Sequence, residues 1–192
     1  MSDLMLDVDQ AGELKAAFRR GDWTNAEIKK LCEGDILKNF RDVLRGFSEI
    51  KPILHAIDCD VNPFVPDGWS YREEDQLPGR IRGTWTWDPS VKLYLSKKQG
   101  GDKYIVGNDL RKELKPQSVL PANVLDYLLA HPELIPEDWN GKAIFFWGTI
   151  YRNSRGNLYV RCLYWDGGGW DWDYGWLDYG FSGSNPAVVR AS

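Results

Sequence analysis

The stretch WDGGGWDWDYGW, residues 165–176, constrains this chain more than any other. It holds four tryptophans, one tyrosine, three aspartates and four glycines. Side chains alternate between the two faces of a strand. From residue 170 onward, Trp170, Trp172, Tyr174 and Trp176 therefore share one face, and Asp171, Asp173, Gly175 and Leu177 share the other. The glycines at 167–169 permit the backbone angles of a sharp reversal. The pattern predicts a hairpin turn that leads into an amphipathic strand with one aromatic face.

The segments before it extend this pattern into a meander. KAIFFWGTIYR reads as a long strand, NSRGN as a hairpin loop and LYVRCLYW as a second strand, with DGGG the turn into the third. Tyr159, Leu163 and Trp165 fall on one face of the second strand and Tyr164 on the other. The tail GFSGSNPAVVRAS reads as irregular. The helix ANVLDYLLA, opened by Pro121 and ended by Pro132, turns Val124, Leu125, Leu128 and Leu129 inward as a cover.

The first fifty residues read as helices. Asp9 is placed to cap a helix bearing Leu14, Ala17 and Phe18, stopped by Gly21. Thr24 and Glu27 have capping-box spacing. Asp35 is placed to cap ILKNFRDVLR, where Ile36, Leu37, Phe40, Val43 and Leu44 share a face up to Gly46. FSEIKPILHAIDCD suggests short strands split by Pro52. NPFVPDGWSYREEDQLPGRIRG reads as a long surface loop, a candidate boundary or lid. TWTWD and KYIV read as strands, VKLYLSKKQ fits a strand through Val91, Leu93 and Leu95 or a helix through Val91, Tyr94 and Leu95, with the strand favoured, and Asn108 is placed to cap DLRKEL. The expected class is α+β: N-terminal helices over 1–50, then an α+β region over 51–192 with a three-stranded antiparallel meander covered by helices. One integrated domain is the alternative reading.

Two readings of the aromatic face follow. In one it packs on the helices, and the aspartates face water and protect an edge strand. In the other, Trp165, Trp170, Trp172, Tyr174 and Trp176 form an open platform with Asp171 and Asp173 at its rim. Stacking on a base is worth roughly 1–3 kcal/mol per ring. The core reading suits most of these rings, and one or two are expected at the surface, because both faces of the small sheet carry aromatics.

Other constellations are weaker. Asp58, Asp60 and Asn62 begin like a calcium loop, but Pro63 stands where glycine is required and Trp69 where a bidentate glutamate is required. His55 and Cys59 would lie about 13 Å apart along a strand, too far for a nucleophile pair. His131 is placed to bond the end of its helix. Carboxylates are plentiful at 73–75, 166, 171 and 173, so a carboxylate-based hydrolase is one alternative, provided two of them converge on a cleft. No motif implies a cofactor or a metal. The helices at 25–45 outline a helix-turn-helix, with Lys38, Asn39, Arg41 and Arg45 as its candidate nucleic-acid contacts. Residues 15–51 hold nine Lys and Arg against six acids, yet counting from Met1 gives −1.

The whole chain carries a net charge of −4, which argues against coating nucleic acid or anionic membrane by charge alone. MSDLMLDVDQ lacks the basic start and apolar run of a signal peptide, and no stretch approaches a membrane span. Three widely spaced cysteines imply no disulfide framework. A cytoplasmic setting is expected.

VLPANVLDYLLAHPELIPEDWNGKAIFFWGTIYR, with LCEGDIL and the later GN, LYVR and LYW, resembles a group of uncharacterised bacterial hypothetical proteins. The resemblance implies a bacterial, cytoplasmic protein and no assigned activity. Together these readings lead to a non-enzymatic binding or interaction protein that uses the aromatic meander. Its expected partner is a protein, since Trp and Tyr are enriched at interface hot spots, or else a planar or sugar-like molecule.

Overall fold

The structure, a computed structural model, describes residues 7–51 and 53–191. It comprises two compact units, Met1–Ile53 and Leu54–Ser192.

The first unit holds α1 (Val8–Arg20), α2 (Asn25–Leu31) and α3 (Ile36–Leu44). Asp7, not Asp9, caps α1. Its backbone is extended and its carboxylate accepts from the Gln10 N–H, while Gln10 reaches back to the Asp7 N–H. Asp9 already lies within the first helical turn. Thr24 and Glu27 close the capping box of α2. Asp35 precedes α3 without a side-chain bond to the helix and pairs loosely with Lys38 instead. None of the three helices contains a buried residue. The apolar face of α3 therefore stays open, with Leu37, Phe40 and Leu44 exposed.

The second unit is built on a sheet. Its strands in chain order are β1 (Ala56–Asp58), β2 (Trp69–Tyr71), β3 (Thr84–Thr86), β4 (Lys92–Tyr94), β5 (Ile105–Val106), β6 (Ile144–Asn153), β7 (Leu158–Trp165), β8 (Trp170–Trp176), β9 (Gly180–Phe181) and β10 (Ala187–Val189). Two helices, α4 (Gly107–Glu113) and α5 (Ala122–Ala130), stand between β5 and β6. The expected three-stranded meander is part of a larger sheet. Six strands join in the order β4-β10-β6-β7-β8, with β2 also on β6. The β10–β6 pair is parallel, so the sheet is mixed. The tail expected to be irregular thus supplies a central strand. The long loop supplies β2, which pairs Trp69 with Asn153 and Tyr71 with Tyr151. Of the strands suggested around 47–58, only β1 forms among the described residues, paired with β3; Pro52 lies outside them. Asn108 sits inside α4 and donates to Asp178 at 2.6 Å rather than capping.

Two cores flank the sheet. On one side α5 and the 3₁₀ turns Pro132–Leu134 and Glu137–Trp139 bury Val124, Leu125, Leu128 and Trp139 against Ile144, Phe146 and Leu163. On the other, Leu110 and Leu114 from α4 pack with Phe145, Trp147, Val160 and Phe181. Gly148 admits α5 to the first core. Its N–H donates to Leu120 O at 2.9 Å, and the Ala122 N–H donates to Thr149 Oγ1 at 2.9 Å. A Cβ at Gly148 would stand 2.6 Å from Leu120 C. The register between β6 and β7 shifts between Phe145 and Ile150, which places this irregularity at the docking point.

Candidate functional site

β7 and β8 pair in continuous register, from Tyr159 opposite Trp176 to Trp165 opposite Trp170. Tyr159, Arg161, Leu163 and Trp165 therefore share a face with Trp176, Tyr174, Trp172 and Trp170. The rings divide into three groups along the hairpin. At the turn end, Trp165 and Trp170 meet edge to face with centroids 5.6 Å apart. In the middle, Trp172 meets Phe64 at 5.7 Å. At the far end, Trp69 stacks on Tyr159 at 4.6 Å and takes Tyr174 edge-on at 5.0 Å, and Trp176 meets Tyr179 at 4.7 Å.

The face is partly core and partly surface. Trp170 and Trp172 are half-buried against the core beneath α5. Trp176 is half-buried, while Trp165 is 40% and Tyr174 50% exposed. The sheet ends at β8, so that strand has a free edge. The Leu177 N–H donates to Leu158 O, and antiparallel alternation then directs the Trp172 and Tyr174 N–H groups to the open edge. Both are taken by the preceding carboxylate: Asp171 Oδ1 and Asp173 Oδ1 each accept at 2.7 Å. The two aspartates thus shield edge donors that would otherwise pair with another strand. They lie on the face opposite the rings rather than at the rim of the platform.

Beneath the middle group lies Arg161, 1% exposed. Its guanidinium stacks over Trp172 at 4.3 Å and over Phe64 at 5.0 Å. Its Nη1 stands 2.8 Å from Asp126 Oδ1. That contact is ionic rather than a directed hydrogen bond, since neither Nε nor Nη1 has a hydrogen-bond partner among the described residues. Burial pushes the Asp126 carboxyl up, and Arg161 draws it part of the way back. The Tyr151 hydroxyl, pushed up to about 12 by burial, donates to Phe64 O at 3.0 Å. Phe64 is thereby anchored over the sheet. The role of Phe64, Trp69 and Arg161 escaped sequence reasoning because their partners are remote in the chain.

The turn end opens into a groove of about 500 Å³ lined by Pro132, Glu133, Ile135, Glu137, Asn140, Trp165 and Trp170. The carboxylates here come from the 3₁₀ turns after α5, a segment the sequence marks only as an irregular bridge. Glu133 is held below the usual carboxylate range by its own backbone N–H, with His131 adding to the effect. His131 Nδ1 lies 3.3 Å from Glu133 Oε1, so it serves this carboxylate rather than the carbonyls at its helix end. The two histidines come together: their rings are 5.7 Å apart, and His55 Nδ1 lies 3.0 Å from the Tyr127 hydroxyl.

Several carboxylates outside the groove have partners of their own. Asp75 is buried and held by Arg152, with Nε to Oδ2 at 2.9 Å. Glu73 is bound by Tyr71 and Arg82 and is held low by both. Asp166 accepts from Gly168 and Gly169 in the hairpin turn and is held low by those bonds. Asp58 accepts from the Asp60 N–H, and Asp60 from the Gly83 N–H. Among the described residues no three His, Cys, Asp or Glu side chains gather as a metal site. Lys38, Asn39, Arg41 and Arg45 are all exposed on or beside α3 in the first unit. No helix among the described residues is long and apolar enough to cross a membrane. Comparison with protein-family models, curated proteins and solved structures finds no match.

Proposed function

We propose that this chain is a non-enzymatic binding protein of the cytoplasm and that it engages another protein through the aromatic face of the β7–β8 hairpin. The observation that carries the reading is the exposure of Trp165 and Tyr174 on one face of a hairpin whose neighbouring rings are held by the core. Half-buried rings fixed from below lose little conformational freedom on binding, which favours aromatic anchors at interfaces. The capped edge of β8 disfavours recognition by strand addition and leaves the rings as the contact surface. Three free thiols, two of them buried, fit a reducing compartment.

The test exposes the folded chain and its Trp165→Ala/Tyr174→Ala variant to a displayed peptide library, a glycan array and single-stranded oligonucleotides. The reading expects peptides to be enriched by the wild type and lost from the variant. Enrichment that the variant retains, or that is confined to oligonucleotides and collapses with salt, overturns it.

A further inference from the structure

We infer that the groove at the turn end of the hairpin is a receptor for an arginine side chain presented by a partner peptide. The inference rests on the aromatic-face reading and names the chemistry of its ligand. Two features carry it together. The first is the wall formed by Trp165 and Trp170, whose edge-to-face arrangement leaves ring surface against the groove. A cation is drawn to the face of an indole ring more strongly than to any other side-chain ring. The second is charge. The groove lining holds two carboxylates, Glu133 and Glu137, and no Lys or Arg.

An aromatic wall alone would accept a sugar ring or an apolar side chain. Carboxylates alone would be a solvated acidic surface. Their combination in one groove selects a flat cation. A guanidinium stacks on one ring while its edge donates to a carboxylate, which an ammonium does less well because it is compact and strongly hydrated. The His131 contact fixes the Glu133 carboxylate from the side. Asn140, a neutral amide, also lines the groove.

The probe is Nα-acetyl-arginine methylamide, with the uncharged citrulline analogue as its isosteric control. Both are titrated into the whole chain while the indole N–H resonances of Trp165 and Trp170 are followed by NMR. These are assigned from Trp165→Phe and Trp170→Phe variants. The arginine probe is expected to shift both resonances saturably and to bind about tenfold more tightly than citrulline. Glu133→Gln/Glu137→Gln is expected to weaken it about tenfold, with an unchanged thermal melt, since both residues are exposed. Equal shifts from arginine and citrulline overturn the arginine assignment and leave the aromatic-face reading standing. Binding that survives the double glutamine variant overturns it in the same way. If neither probe moves either resonance, the groove is not the receptor. Peptide enrichment that still depends on Tyr174 would then place recognition at the other end of the face.

Discussion

Gly148 is where the cover meets the sheet, and substituting it tests that packing directly. A Cβ there would lie 2.6 Å from both Leu120 C and Pro121 N and 2.8 Å from Leu120 O. Non-bonded carbons favour about 3.5–4.0 Å, so Gly148→Ala overlaps a peptide bond by roughly 1 Å. No rotamer relieves the clash, because every atom met is backbone. The 120–122 segment has to move, and it is tied down by two buried hydrogen bonds, Gly148 N–H to Leu120 O and Ala122 N–H to Thr149 Oγ1. Overpacking costs about 1–3 kcal/mol, and loosening a buried hydrogen bond costs about 1 kcal/mol more. The reduced freedom of the unfolded chain returns about 0.4–1 kcal/mol. The expected loss is about 2 kcal/mol, which lowers Tm by roughly 4–8 °C for a chain of this size. Urea unfolding followed by tryptophan fluorescence measures it. Gly169→Ala is the control, since nothing lies within 4 Å of its added methyl, and it should stay within about 0.5 kcal/mol of wild type. A Gly148→Ala loss below about 1 kcal/mol, or one equal to the control, would refute the argument that β6 and the start of α5 meet backbone to backbone.

Three further outcomes follow from the buried thiols and the capped edge. Burial pushes the Cys59 thiol up to about 11 and the Cys162 thiol up to about 12, so at pH 8 a thiol-disulfide reagent should label only the exposed Cys32 until denaturant is added. Below about pH 8.5 both buried thiols are protonated in the folded and unfolded chain alike. Above it the unfolded chain releases its protons first, so stability should fall by about 1.4 kcal/mol per pH unit per thiol until the folded values are reached. Stability that stays flat from pH 9 to 11 in denaturant titrations would contradict this. Asp171→Ala/Asp173→Ala frees the edge donors of Trp172 and Tyr174 and removes two charges; analytical ultracentrifugation should show new self-association, and a strictly monomeric variant would show that the carboxylates do not guard the edge.

Local chemistry alone determined much of this protein. The capping box of Thr24 and Glu27, the helix that begins after Pro121, the glycine turn at 167–169 and the face shared by Trp170, Trp172, Tyr174 and Trp176 all follow from spacing, because each is set by neighbours within a few residues. The α+β class was legible for the same reason. Strand β10 was not, since three residues after a proline carry no period and become strand only by fitting between β4 and β6. Nor was the burial of Arg161, whose charge is matched by Asp126 from a helix 35 positions earlier in the chain and by rings at 64 and 172. The groove at the hairpin turn belongs to the same class. Its rings come from β7 and β8 and its carboxylates from turns that look irregular in sequence, so only the folding of the cover onto the sheet brought the two together. Short-range sterics and hydrogen bonding write the elements into the sequence, while the meeting of charge and ring across long loops is settled by packing.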